Sequence, residues 1–252
     1  MKTQHDINQK QYANKSVSYL HSQVHAQGVE FKKIINLISN KQQSRVLDLG
    51  CGGGHVSYQI APFVESVVAY DLSLEMLETV ATTAETKQIK NIVVQQGPAE
   101  KLPFADAEFD FVVSRYSAHH WQSIRQAIHE IQRVLCDGGV FILIDIIGSN
   151  RPALDTFLQT IEIVRDPSHV RDYSLAEWIN LAEGADLTVE LIEKQKLSLN
   201  FKAWVERMKT PSHAIHTIQY LQQSISDEVR KHFHIQEDGS FEVDVGYFVF
   251  RK

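Results

Sequence analysis

Cysteine is scarce in this 252-residue chain: Cys51 and Cys136 are the only two. Two thiols so far apart give neither a disulfide framework nor a thiolate zinc site, and they fit a reducing cytoplasm. Basic runs are missing too. Lys and Arg total 25 against 31 Asp and Glu, a net charge of −6 and a pI near 6.0. The phosphate-neutralising footprint of a nucleic-acid binder is therefore absent. The opening MKTQHDINQKQYANK has no apolar h-region, so no secretory signal is expected. The longest apolar stretch, Val140 to Ile147, is interrupted by Asp145 and is far too short to cross a bilayer. No Pro/Gly-rich linker, internal repeat or low-complexity segment divides the chain. What remains is ordinary for a globular protein, with 43% apolar and 22% charged residues, and the chain is long enough for one large domain or two small ones.

The pattern along the chain is that of an α/β protein. Phe31, Ile34, Ile35 and Ile38 predict a helix near 29–39 within an otherwise polar N-terminal segment. Short apolar runs at Arg45–Leu49, Ser66–Tyr70, Asn91–Gln95, Phe109–Ser114 and Val140–Ile146 read as strands. Helical patterns separate several of them: Val56, Ile60 and Phe63, broken by Pro62; Leu74 to Ala84 behind the N-cap Ser73; and Ile124, Ile128, Ile131 and Leu135, closed by Asp137-Gly138-Gly139. Alternation of this kind predicts a parallel sheet with crossover helices. Beyond Gly148 the pattern gives helices at 152–165 and 174–183, a strand at Leu187–Leu199, two helical stretches over about 201–231, and a last strand at Phe241–Phe250.

The chemistry concentrates after the first strand, in Val46-Leu47-Asp48-Leu49-Gly50-Cys51-Gly52-Gly53-Gly54. A glycine-rich strand-to-helix turn lets backbone approach a ligand and presents helix N-terminal N–H groups. The dinucleotide pattern Gly-x-Gly-x-x-Gly fails, because its third glycine would be His55. No Gly-Lys-Ser/Thr follows, so the loop is not a Walker loop. The second strand ends in Asp71, whose carboxylate can accept from both hydroxyls of a ribose lying across the strand ends. These residues point to a nucleoside with something shorter than a pyrophosphate.

Val46–Gly54, Ala69-Tyr70-Asp71-Leu72-Ser73, Gly97–Phe104, Phe109-Asp110, and Arg133-Val134-Leu135 with Gly138-Gly139 stand in family order. Together they resemble the class I S-adenosylmethionine-dependent methyltransferases, in the group similar to ubiquinone/menaquinone C-methyltransferases. His119-His120 and His169–Tyr173 resemble a bacterial subgroup. The resemblance implies a Rossmann-like, doubly wound, mostly parallel seven-stranded sheet with the last strand antiparallel. It implies a helical N-terminal cap at 1–44 and a methyltransferase domain at 45–252. That domain would comprise a core at 45–148, a lid insertion at about 149–185, and C-terminal strands and helices at 186–252. The implied cofactor is S-adenosylmethionine. Asp48, Gly50, Cys51 and Gly52 would shape the site for its methionine part, Asp71 would hold the ribose, and Leu72 and Met76 would pack on ribose or adenine. Ala99 and Glu100 would lie beside the adenine, and Arg115 near the cofactor. Core filler for Met76 and a solvated loop acid for Glu100 stay open alternatives. Pro98 departs from the family, where an Asp commonly binds the adenine amino group. Proline offers neither N–H nor side-chain acceptor, so recognition would fall to the backbone at 99–100 or to another side chain.

An acceptor should meet the cofactor beyond the strand tips, which brings Arg115, Tyr116, Ser117, His119, His120 and Trp121 into play. Ser114-Arg115-Tyr116-Ser117 lacks the Asn/Asp-Pro-Pro-Tyr/Phe motif of methyltransferases acting on amide or nucleobase nitrogens. A small-molecule acceptor, methylated on carbon or oxygen, is the expectation, and no nucleic-acid partner is expected. Two cysteines make an arsenic-type acceptor a poor match. His120 is the candidate base or acceptor-orienting group, with His119 beside it. Imidazole can take a proton near neutral pH; simple packing at a helix start is the alternative. Adjacent histidines tend to point apart, so no metal site is expected. Tyr116, Trp121, His169 and Arg171 are pocket candidates, although Arg171 could instead pair with Asp166 or Asp172. Tyr19, Ser22 and His25 are candidates for folding over the cofactor, against a plain capping helix. Two other functions share the loop: a non-catalytic cofactor-binding protein and, against His55, a nicotinamide oxidoreductase.

Overall fold

The computed structural model describes residues 2–13, 28–39 and 41–252; Tyr19, Ser22 and His25 lie outside them. Seven strands form one sheet in the order β3-β2-β1-β4-β5-β7-β6. They are β1 (Arg45–Leu49), β2 (Ser66–Asp71), β3 (Ile92–Gln96), β4 (Phe109–Arg115), β5 (Leu135–Ile146), β6 (Thr188–Leu199) and β7 (Phe241–Arg251). β7 runs antiparallel to both neighbours, and the β1, β2, β3, β4 and β5 pairings are parallel. The seven-stranded, mostly parallel sheet with its antiparallel last strand is therefore as the sequence led us to expect. The winding reverses between β1 and β4, and a crevice opens outside the carboxyl ends of strands at such a point.

Alternate residues of each central strand face opposite layers. Leu47, Val112, Phe141, Leu143 and Phe248 pack against α5 (Ile124–Val134) and α7 (Leu175–Glu183) through Ile128, Ile131, Trp178 and Leu181. Val46, Phe111, Val113, Ile142 and Ile144 pack against α2 (Val29–Ile38) and α3 (His55–Ile60). The α3 helix passes into a 3-10 turn, Ala61–Phe63, with Pro62 in its first turn, where a missing N–H is harmless. Ser73 caps α4 (Leu74–Thr86) by accepting from the Met76 N–H at 3.4 Å.

A third apolar cluster joins α6 (Pro152–Arg165), α8 (Phe201–Arg207), α9 (Ser212–Ser224) and α10 (Asp227–His232) to Leu199 and Phe241 at the strand ends. Three helices thus occupy the 201–231 region in place of the two stretches expected. Pro211 precedes α9, and the Ser226 hydroxyl caps α10 through the Val229 N–H, so local capping divides what periodicity alone merges.

One helix went unread in the sequence. Helix α1 (Gln4–Tyr12) buries no residue and shows no apolar period. Its signal is a capping box: Thr3 Oγ1 accepts from Asp6 N–H at 3.1 Å, and Asp6 Oδ2 accepts from Thr3 N–H at 2.7 Å. Hydrogen bonds attach it to several segments, Tyr12 Oη donating to His120 Nε2 at 2.7 Å. Gln4 donates to the Ser168 carbonyl at 2.8 Å, His5 to Glu100 at 3.2 Å and Gln9 to the Leu72 carbonyl at 3.2 Å. Among the described residues, no helix is long and apolar enough to cross a membrane.

The two extremes of burial give a stability test. Ile142 is fully buried at the sheet centre, whereas Val93 on the edge strand β3 is 59% exposed. Ile142→Ala should cost about 2–5 kcal/mol in urea unfolding, and Val93→Ala no more than about 0.5 kcal/mol.

Candidate functional site

The loop after β1 is built by its neighbours. Gly50 and Cys51 N–H both donate to the Tyr70 carbonyl, at 2.8 and 3.0 Å. Gly50 has φ 74°, and a Cβ there would lie 1.9 Å from Ser117 Oγ, so both conformation and space demand glycine. Gly52 has φ 50°, yet a Cβ there would meet nothing within 4 Å: it borders open space. Its N–H donates to Asp71 Oδ2 at 2.9 Å, while Asp71 Oδ1 accepts from Ser73 N–H at 2.8 Å. Asp71 therefore ties the glycine loop to the start of α4. Beneath the loop, Asp48 Oδ2 accepts from Ser57 N–H at 3.0 Å and Ser57 Oγ at 2.6 Å. Burial raises both carboxyls. Asp48 rises to about 7 despite its Ser57 bonds, and Asp71 rises despite its backbone donors.

A cavity of about 960 Å³ opens over these strand tips. Asp48, Gly50, Cys51 and Gly52 line one end, and Asp71, Leu72 and Met76 its flank. Ala99, Glu100, Arg115, Tyr116, His120 and Trp121 complete its wall. Met76 also packs as a buried residue of α4. Glu100 is not a solvated loop acid. Its Oε1 accepts from Ser123 N–H at 3.0 Å, at the start of α5, and its Oε2 accepts from His5. Pro98 also lines the cavity, but its carbonyl already accepts from Tyr70 Oη at 3.2 Å and Lys101 N–H at 3.2 Å. His5, Asn8 and Tyr12 of α1 close one side.

Arg115, at the end of β4, meets a partner the sequence did not suggest. Glu30 Oε1 on α2 accepts from its Nε at 3.0 Å and Nη2 at 2.7 Å, with both side chains only 4% exposed. The guanidinium sits over the rings of Phe31 and Tyr116, 4.5 and 4.7 Å from their centroids. Tyr116 takes φ 53°, a left-handed conformation that disfavours a side chain. Trp121 Nε1 donates to Ser117 Oγ at 3.2 Å.

The two histidines do not splay apart. They sit in a 3-10 turn, Ala118–His120, with ring centroids 4.3 Å apart, because the tight turn keeps neighbours together. Their partners separate them chemically. His119 Nδ1 donates to Asp145 Oδ1 at 2.5 Å. His120 Nδ1 donates to the Ser168 carbonyl at 3.1 Å, which leaves Nε2 to accept from Tyr12 Oη at 2.7 Å. Burial opposes charge on both rings, but the Asp145 carboxylate lifts His119 to about 9. Burial and the His119 charge drop His120 to about 4. The expected imidazole titrating near neutral pH is thus replaced by a split pair, one charged and one neutral.

His169 and Arg171 stand away from the large cavity. His169 is buried and donates to Gln159 Oε1 at 2.9 Å, and burial pushes its pKa far down. Arg171 pairs with Glu177 at 2.9 Å and Asp155 at 3.3 Å, rather than with Asp166 or Asp172. Among the described residues no group of three or more His, Cys, Asp or Glu is arranged to hold a metal. A second cavity of about 510 Å³ shares Tyr12, Tyr116 and His120 with the first. His119, Ile146, Glu162, Arg165, Leu197 and Leu199 line it, with Trp204 and Arg207 of α8. Sequence reasoning missed Glu30, Tyr12, Asp145, Glu162, Arg165 and Arg207. Asp145, an acid inside a buried strand, was the one with a visible signal.

Comparison with known proteins gives matches across most of the chain. The methyltransferase domain family matches residues 47–143. The uncharacterized protein YafE of Escherichia coli is 47% identical over 78% of this chain and 95% of its own. The uncharacterized methyltransferase YcgJ of Bacillus subtilis is 35% identical over 90% of this chain and 89% of its own. The YcgJ crystal structure superposes with a TM-score of 0.85 at 34% identity, covering 88% of this chain and 97% of that one. The demethylmenaquinone methyltransferase of Chlorobaculum parvum is 30% identical over 50% of this chain and 51% of its own.

Two measurements probe this geometry. Glu30→Ala removes the carboxylate facing a buried guanidinium and should cost about 3–5 kcal/mol in urea unfolding. His119 is raised from 6.5 to about 9 in the fold, so its contribution is complete below pH 6.5 and fades as pH rises through about 9. Relative to His119→Gln, the wild type should lose roughly 3 kcal/mol of stability between pH 6 and pH 10. A pH-independent difference would contradict the His119–Asp145 assignment.

Proposed function

Since this chain belongs to the class I S-adenosylmethionine-dependent methyltransferases and uses S-adenosylmethionine as its methyl donor, we propose that it methylates a small-molecule acceptor on carbon or oxygen. The donor occupies the larger cavity and the acceptor the smaller. The observation that carries this reading is the junction of the two cavities at Tyr12, Tyr116 and His120. The demethylmenaquinone methyltransferases, by name, act on a small molecule, and the net charge of −6 disfavours nucleic acid. In the domain arrangement we propose, 45–148 holds the donor, 1–44 caps it, and the segments at 149–185 and 186–252 build the acceptor wall. We place the enzyme in the cytoplasm on its cysteine usage.

The larger cavity fits the donor. Gly52 leaves open space where a side chain would stand, and Asp71 has one lone pair on each oxygen beyond its backbone bonds. In this reading Asp71 holds the ribose hydroxyls. Leu72, Met76, Ala99 and Glu100 surround the adenosine, and Asp48, Gly50, Cys51 and Gly52 hold the methionine part. When bound, S-adenosylmethionine supplies a methyl group made electrophilic by its sulfonium. The protein's work is alignment and exclusion of water. Arg115 is neutralised by Glu30, so it shapes the wall beside a cationic donor without opposing it. Tyr116 and Trp121 form the wall where acceptor meets donor. The His119 imidazolium stabilises negative charge on the acceptor. Neutral His120, fixed by Tyr12 and Ser168, orients it.

Calorimetric titration tests the donor site. The wild type should bind S-adenosylmethionine and not NAD. Asp71→Asn, which keeps the size but turns an amide N–H₂ toward a backbone N–H, should stay folded with a lowered melting temperature and bind it at least about tenfold more weakly. Incubation with a metabolite extract should release S-adenosylhomocysteine, and a methylated product should be visible by mass spectrometry. Binding of NAD alone, or unchanged affinity in a folded Asp71→Asn protein, would overturn the reading.

A further inference from the structure

The wall from Pro98 to Glu100 has little to offer an amino group. Pro98 has no side-chain acceptor, and its carbonyl already accepts from Tyr70 Oη and Lys101 N–H, both at 3.2 Å. Glu100 holds Ser123 N–H at 3.0 Å on Oε1 and His5 at 3.2 Å on Oε2. Elsewhere around the larger cavity, Asp48 is bound by Ser57, Arg115 by Glu30 and Trp121 by Ser117. Asn8 of α1 differs. It lines the cavity half-buried, and its carboxamide makes no hydrogen bond among the described residues. Its place on the helix says what it faces. His5, Asn8, Gln9 and Tyr12 recur at spacings of three and four, on one face. His5 meets Glu100 and Gln9 meets the Leu72 carbonyl, so Asn8 stands between those two walls. Tyr12, one turn further on, reaches His120 where the two cavities join.

We infer that Asn8 reads the adenine base of the methyl donor, Oδ1 accepting from the exocyclic amino group and Nδ2 donating to ring nitrogen N7. A carboxamide presents an acceptor and a donor side by side, and that edge of adenine presents the complementary pair. The ribose hydroxyls have Asp71, and the sulfonium end lies toward His120. The base is the part left for a residue between Glu100 and Leu72. A 6-oxo purine carries acceptors at both positions and leaves Oδ1 facing a lone pair, so the same contact selects adenosine. Base recognition thus sits on the helix that caps the cavity, and the loop after β3 needs no side-chain acceptor at Pro98. This inference rests on the assignment of the larger cavity to the donor.

The test separates the two. The full chain is titrated calorimetrically with S-adenosylhomocysteine, with its analogue carrying hydrogen in place of the 6-amino group, and with its 7-deaza analogue. The wild type should bind each analogue at least about fivefold more weakly than S-adenosylhomocysteine. Asn8→Ala should melt with the wild type, because the side chain it removes bonds to nothing in the protein, and should bring both preferences to within about twofold. Asn8→Asp keeps the acceptor and loses the donor, so it should retain the preference for the amino group and lose the preference for N7. A merely structural role for Asn8 would weaken all the ligands alike and leave their ratios unmoved. Binding of S-adenosylhomocysteine without preference in the wild type, or with preferences unchanged in Asn8→Ala, overturns the inference alone and returns base recognition to the backbone at 99–100. Failure to bind S-adenosylhomocysteine takes down the donor site with it.

Discussion

Two backbone N–H groups converge on one carboxylate, and the larger cavity takes its shape from that convergence. Gly52 lies beyond the first strand and Ser73 beyond the second, and Asp71 accepts from both. The bonds cost the protein a buried charge whose pKa is raised by burial. In return they lock a loop of left-handed glycines that has little local stability of its own. Asp48 repeats the arrangement one layer lower, with Ser57 as donor.

The smaller cavity has a mixed lining, with Arg165 and Arg207 beside Glu162, and the histidine pair stands at its border with the larger one. Burial would neutralise both rings; Asp145, hydrogen-bonded to His119 at 2.5 Å, reverses that outcome, whereas Asp166, 4.0 Å from His120, does not. The charge so fixed then helps to hold His120 neutral. Two adjacent residues of one type therefore serve different ends, and the difference comes from Asp145 on β5 and Ser168 in the insertion rather than from the histidines themselves.

What was legible in the sequence follows from which constraints are local. The strands were readable because buried parallel strands are short apolar runs. The glycine loop, Asp71 and Ser73 were readable because their partners lie within a few residues or at the next strand tip. Glu30, Glu162 and Arg207 were not, because their significance depends on which helix faces which cavity. Glu30 reads as a surface acid in an amphipathic helix until α2 docks on Arg115. The same limit explains Arg171. Its charge was plain, but its true partners, Glu177 and Asp155, depend on the packing of α6 and α7. Helix boundaries failed where a cap rather than periodicity decides, as at Ser226.

Helix α1 is the clearest case of structure without hydrophobic pattern. It buries no side chain and meets the body through hydrogen bonds from Gln4, His5, Gln9 and Tyr12. Each such bond contributes about 0.5–1.5 kcal/mol net, so their sum is only a few kcal/mol against the entropy of ordering the segment. An apolar face would hold the helix far more strongly. Tyr12 lines both cavities, so the hydroxyl that fixes the His120 ring also stands where the two meet.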